Sequence, residues 1–145
     1  RDLEKRLGKR VLVSKMITGG IEWSIGVKND PDFGPAVMIS LGGTLIDILD
    51  EKLILMAPFS PTKLQKKLKP LKSYNLLKGY RGSSKYSVKK LCEAASKISY
   101  LALDFNKQIN EIDINPIIIS EDNAVAVDNV FIIKWLNFKW LSVKS

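Results

Sequence analysis

Read as a strand, Ile109 to Ile118 is expected to alternate, with Glu111, Asp113 and Asn115 on one face and Ile112, Ile114 and Ile118 on the other. A period of two is that of a β-strand with one face buried. Glu121-Asp122 separates this run from Ala124-Val125-Ala126-Val127-Asp128 and predicts a two-residue hairpin turn. With Ser120 paired to Asn123, partner numbers sum to 243, so Asn115 is placed opposite Asp128. From Ser87 the period changes. Val88, Leu91, Cys92, Ala95, Ile98, Ala102 and Phe105 recur at helical spacing behind an N-cap serine, which predicts the longest element of the chain. A shorter helix opens at Ser60-Pro61-Thr62 and turns Leu64, Leu68 and Leu71 inward.

Upstream, residues 10–16 and 21–27 are two β-prone runs about Thr18-Gly19-Gly20, an expected hairpin. Residues 29–35 are dense in turn formers and predict a loop. Residues 36–41 form a short strand ending in Gly42-Gly43, and residues 45–49 and 53–57 are further strands around Asp50-Glu51. Mostly antiparallel strands with two inserted helices predict an α+β fold, a two-layer sandwich of sheet and covering helices. A single domain is expected over residues 1–145, with its core at 10–130 and a C-terminal extension at 131–145. Trp135, Phe138, Trp140 and Leu141 in that extension predict packing against protein rather than on a membrane surface.

Composition narrows the chemistry. A chain of 145 residues, 46% hydrophobic and 26% charged, is ordinary for a globular protein with a real core. It has no histidine, which excludes Ser-His and Cys-His catalysis and histidine-based zinc sites within the chain. Its one cysteine, Cys92, cannot form an internal disulfide and lies on the apolar side of the long helix; a reducing cytoplasm is the expected setting. The longest apolar runs, such as Val130-Phe131-Ile132-Ile133, are too short to span a bilayer. A start at Arg1 without a visible signal peptide predicts a piece of something longer. The net charge of +8 comes largely from Lys63, Lys66, Lys67, Lys69 and Lys72 and from Lys78, Arg81, Lys85, Lys89 and Lys90. Aromatic residues do not interleave with the first group as a base-stacking platform requires, so a solvated helix face is expected rather than a nucleic-acid surface.

The acidic hairpin carries the candidate chemistry. Glu111, Asp113, Asn115 and Asp128 would share one sheet face, and like charges so placed repel unless a cation sits among them. All four offer oxygen, the donor preferred by Mg²⁺, which takes one or two carboxylates and leaves its other positions to phosphates and water. Spacing by itself leaves two readings open: a solvated acidic face and a Mg²⁺ site.

Several segments together resemble one family. Val11-Leu12-Val13-Ser14-Lys15-Met16, Gly20-Ile21-Glu22, Gly26 through Pro35, Leu41-Gly42-Gly43, Ala57-Pro58, Gly79-Tyr80-Arg81-Gly82, Glu111 to Pro116 and Ala124 to Asp128 are similar, in order and spacing, to the ATP-grasp domain of ADP-forming acyl-CoA synthetases. The beta subunits of ADP-forming acetyl-CoA synthetases, more distantly that of succinyl-CoA synthetase, and the synthetase-like domains of protein acetyltransferases share the pattern. The resemblance implies ATP or ADP and Mg²⁺ as cofactors, with an acyl phosphate and a phosphohistidine between the thioester and the nucleotide. It implies Asn115 and Asp128 as metal-binding positions, with Asp113 and Glu111 in the same motif. It also implies backbone contact with the base at Ser14, Lys15 and Met16, and a place near the phosphates or an interface for Gly42, Gly43 and Arg81. Glu22 is matched as well. Lys15 stands where the family often has an acid, and Leu55 where a basic residue is common. The implied partners are an upstream ATP-grasp subdomain and a CoA-binding, histidine-bearing alpha subunit or domain, in a hetero-oligomer. The competing expectation is a regulatory or interaction module that kept the fold without turnover.

Overall fold

The strand β1 (Ile21–Asp30) is the centre of the architecture because Ile21, Trp23, Ile25 and Val27 on one of its faces are all buried. The structure, a computed structural model, describes residues 14–43, 49–79 and 85–134. β2 (Gly34–Leu41) returns beside β1, burying Val37, Ile39 and Leu41 on the same face, and β3 (Lys52–Met56) follows at the edge. On the other side of β1 lies β4 (Ile109–Ile119), whose far edge takes β5 (Ala124–Ala126) and β6 (Asn129–Ile133) end to end. All pairings are antiparallel, in the order β3-β2-β1-β4-β5, with β6 also on β4.

Among the described residues three helices make the second layer: α1 (Pro61–Leu68), α2 (Lys72–Leu77) and α3 (Val88–Asp104). The serine hydroxyls cap as the sequence predicts, Ser60 Oγ accepting from the Lys63 N–H at 3.2 Å and Ser87 Oγ from the Lys90 N–H at 3.3 Å. α3 packs on α1 and on the buried face of β1, β2 and β4 through Leu91, Cys92, Ala95 and Ala102. Two serines buried in mid-helix have a backbone duty. Ser96 Oγ donates to the Phe59 carbonyl at 2.8 Å, and Ser99 Oγ accepts from the Phe59 N–H at 3.2 Å, so an otherwise orphaned peptide is satisfied where β3 runs into α1. Glu51 bonds the N–H groups of Lys72 and Ser73 at 2.9 and 2.8 Å and so closes the N-terminus of α2, a helix without a side-chain cap of its own.

The α+β two-layer expectation holds, with local corrections. Residues 14–18 form no strand, and the expected hairpin of residues 10–16 with 21–27 is absent over the described part, residues 10–13 lying outside it. Both edges of β1 are already taken by β2 and β4. The predicted loop at 29–35 shrinks to Pro31-Asp32-Phe33, because Asp30 Oδ1 accepts from the N–H groups of Asp32 and Phe33 and closes a tight turn. Those two bonds, Phe33 first, hold the Asp30 carboxyl below its usual range. Ile118 does not join Ile112 and Ile114 inside; Ile117 and Ile119 do. Between the pairs Trp23–Ile117 and Ile25–Ile114, Asn115 and Pro116 together oppose Ser24, and such a bulge reverses the alternation. Phe131, Ile132 and Ile133, expected in the extension, belong to β6. The strand expected at 45–49 falls almost wholly on residues outside those described, as does the tail from Trp135.

Candidate functional site

Among the described residues the helices cover one face of the sheet and leave the other bare, and the register lays its side chains out in cross-strand rows. One row runs Val130, Asp113, Gly26, Met38, Ile54; the next runs Ile132, Glu111, Lys28, Ala36, Met56. Glycine at position 26 leaves a gap in the first row, and Gly26, Lys28, Ala36, Met38, Ile54, Glu111 and Asp113 line an open concavity of about 390 Å³. The concavity is apolar on the β2–β3 side, where Ile54 and Met56 are exposed, and acidic on the β4 side. Sequence reasoning did not find its apolar half. The available signal was a glycine inside a strand pattern, which marks room for a close approach.

The hairpin register predicted from the sequence is the one observed. Ile119–Ala124, Ile118–Val125 and Ile117–Ala126 are partners, and beyond the bulge Ile114–Asn129, Asp113–Val130, Ile112–Phe131 and Glu111–Ile132 keep the same sum. Between them the Asn115 N–H donates to the Asp128 carbonyl at 3.1 Å and the Val127 N–H to the Pro116 carbonyl at 3.0 Å, so the Asn115 and Asp128 backbones meet at the break between β5 and β6. Asp113, Asn115 and Asp128 are exposed and Glu111 is half-buried. Among the described residues, none of these four side chains spends its oxygens on a hydrogen bond or an ion pair. Nor do three or more carboxylates or thiolates among the described residues gather closely enough to hold a metal, so Glu111, Asp113 and Asp128 make no three-carboxylate centre. The opposed carboxamide and carboxylate are the pair of free oxygen donors that suits one hard cation.

The other sequence candidates lie at the end of the sheet where β1 begins. Ser14, Lys15 and Met16 are exposed and lead through Gly19 and Gly20 into β1. Gly42 and Gly43 leave β2 beside Glu22. The Gly42 N–H donates to the Glu22 carbonyl at 2.8 Å, and a β-carbon on Gly42 would sit 3.2 Å from the Glu22 β-carbon. Gly43 has φ +59°, and a β-carbon there would run into the Glu22 carboxylate. Both glycines therefore answer a close backbone crossing, and that crossing brings the Glu22 carboxylate to the turn. Arg81 lies outside the described residues.

Residues 2–133 match the family model of the ATP-grasp domain. The chain belongs to the ATP-grasp family. This ATP-grasp chain is 38% identical over 118 residues to the beta subunit of acetate–CoA ligase [ADP-forming] I of Pyrococcus furiosus, covering 81% of the chain and 50% of that subunit. It is 35% identical over 113 residues to 4-hydroxybutyrate–CoA ligase [ADP-forming] of Nitrosopumilus maritimus, covering 78% of the chain and 16% of that protein. Among solved structures it superposes on a dinucleotide forming acetyl-coenzyme A synthetase of Ca. Korarchaeum cryptofilum in complex with coenzyme A and Mg-AMPPCP. The TM-score is 0.74 at 30% identity, over 81% of this chain and 55% of that one. The chain thus spans about half or less of the length of the curated relatives it matches.

Proposed function

We propose that this chain is the nucleotide- and Mg²⁺-binding part of an ADP-forming acyl-CoA ligase, working in the cytoplasm as the second of two ATP-grasp subdomains that enclose the nucleotide. The observation that carries the reading is the opposed Asn115–Asp128 pair, its oxygens unspent among the described residues, on the sheet face opposite the described helices. The net reaction would take an acyl-CoA, phosphate and ADP to the acid, free CoA and ATP. Mg²⁺ held by Asn115 and Asp128 would keep positions for phosphate oxygens and neutralise charge on the transferred group. The backbone of Ser14, Lys15 and Met16 would meet the edge of the base, and Gly42, Gly43 and Arg81 would approach the phosphates or the facing subdomain. With no histidine in this chain, the phosphorylated histidine would come from a CoA-binding partner subunit or domain. Asp113 and Glu111 would add negative potential beside the cation.

Asp128→Asn tests this in the complete enzyme. The exchange keeps size and one carbonyl oxygen and removes a charge, so the thermal midpoint should stay in place while turnover at saturating Mg²⁺ falls by roughly a hundredfold, the scale of losing one electrostatic stabiliser. Unchanged turnover with a raised midpoint would mean that the pair is part of a solvated acidic face whose repulsion the substitution relieves.

A further inference from the structure

On its helix-covered face the sheet is wider than its cover. α3 packs chiefly over β1, β2, β4 and the short β5, and the apolar side chains of β6 remain largely exposed. Phe131 stands opposite the buried Ile112 and therefore on the helix side, yet it is 43% exposed, and Ile133 at the end of β6 is 64% exposed. Beside them, between α3 and the β4–β5 hairpin, runs an open groove of about 380 Å³. Its floor is apolar, formed by Ala94, Ile98, Ile114, Ile117, Ala124 and Ala126. Its helix rim carries Lys90 and Lys97, both exposed and without an ion pair among the described residues, while Glu93 between them is turned to Lys89 at 3.8 Å.

We infer that this strip is the seat of an acidic amphipathic helix from another polypeptide or domain, laid alongside α3. The width suits one helix, since packed helices lie about 8–10 Å apart and neighbouring strands about 4.8 Å. Charge selects the occupant. From Ser60 to Ser99 the chain is dense in lysine and its single acid is Glu93, so a second copy presenting this face would bring like charge to like. The chain's own residues 135–145 contain Lys139 and Lys144 and no acid, so they do not complement the rim either. A nucleic acid would complement the charge but not the floor. The floor offers aliphatic side chains to pack on, and the single ring beside it, that of Phe131, is no platform for successive bases. An amphipathic helix that sets leucine-type side chains on the floor and carboxylates toward Lys90 and Lys97 satisfies both features. The inference is independent of the nucleotide face, which lies on the other side of the sheet.

The test titrates the isotopically labelled 145-residue chain, followed by amide resonances, with three probes. The first is an N-acetylated helical peptide of about 14 residues, roughly 21 Å long, with leucine at every third or fourth position and glutamate elsewhere. The second is its lysine counterpart, and the third is an oligouridylate. The glutamate peptide should shift the amides of Ala94, Ile98, Ala124, Ala126 and Phe131, and the lysine peptide should not. Lys90→Glu with Lys97→Glu, both exposed and remote from the core, should weaken the glutamate peptide about tenfold, as expected for reversing two exposed charge contacts. Absence of shifts at these amides, equal binding by the lysine peptide, or an affinity indifferent to the charge reversal would each overturn the inference. Tighter binding of the oligouridylate at the same amides would also overturn it, in favour of a nucleic-acid surface.

Discussion

A side chain placed at Gly26 would enter the concavity of the bare sheet face without touching the core behind it. Gly26 is flanked in register by Asp113 on β4 and Met38 on β2, and its backbone lies outside the left-handed region. A β-carbon there would meet only the Met38 side chain, at 3.6 Å from Cε and 4.0 Å from Cβ, which is ordinary van der Waals contact. Gly26→Ala should therefore fold and gain about 0.4–1 kcal/mol, chiefly because the unfolded chain loses freedom. Gly26→Val adds β-propensity on a scale of about 1 kcal/mol, and its branched methyls project between Asp113 and Met38, into the space where a nucleotide would lie. In the complete enzyme this variant should keep or raise its denaturation midpoint while Mg²⁺-dependent ADP binding weakens at least about tenfold, or ~1.4 kcal/mol. The two quantities move in opposite directions, which a general structural defect cannot reproduce. Calorimetric titration with Mg-ADP and chemical denaturation of the same preparations give both. Unaltered ADP affinity in Gly26→Val, with the fold intact, would refute the assignment of this concavity to the nucleotide. A loss of stability in Gly26→Ala would refute the packing argument itself.

Two further expectations concern single groups. Cys92 is buried under α3, and its thiol is pushed up to about 12 by desolvation and, second, by the Glu93 charge. Labelling of the folded protein by a thiol reagent near pH 8 should therefore be slow and should accelerate only with unfolding; rapid labelling would contradict the burial. Desolvation raises the Glu51 carboxyl, but the N–H groups of Ser73 and Lys72, the Ser73 hydroxyl and the Lys72 charge outweigh it and hold the group below its usual 4.5. A depressed carboxylate contributes stability that is complete above its unfolded value and is lost as the pH falls through its folded one. Glu51→Gln should accordingly cost about 1 kcal/mol at neutral pH, and that difference should fade in acid; a cost that persists well below pH 4 would contradict the helix-closing role.

Local pattern was enough for elements whose partners are close in the chain. The hairpin register, with Asn115 opposite Asp128, follows from one turn and a period of two, and it survives in the fold because each bond it needs lies within a few residues of Glu121-Asp122. The Ser87 cap, the apolar stripe of α3 and the burial of Cys92 are legible for the same reason: helical spacing names the face, and that face has one place to go. What the sequence could not decide depends on distant partners. Residues 14–16 looked like half of a hairpin, but β2 and β4 hold both edges of β1, and that competition is settled between segments far apart in the chain. Ile118 looked like a core position until the bulge set Asn115 and Pro116 against Ser24 and turned the rest of β4 over. α2 has no cap of its own and depends on the Glu51 carboxylate delivered by a different segment. The candidate site divides along the same line. Its acidic edge is one hairpin and is readable in the sequence, whereas its apolar half draws Gly26, Met38 and Ile54 from three strands that only the sheet brings into one row.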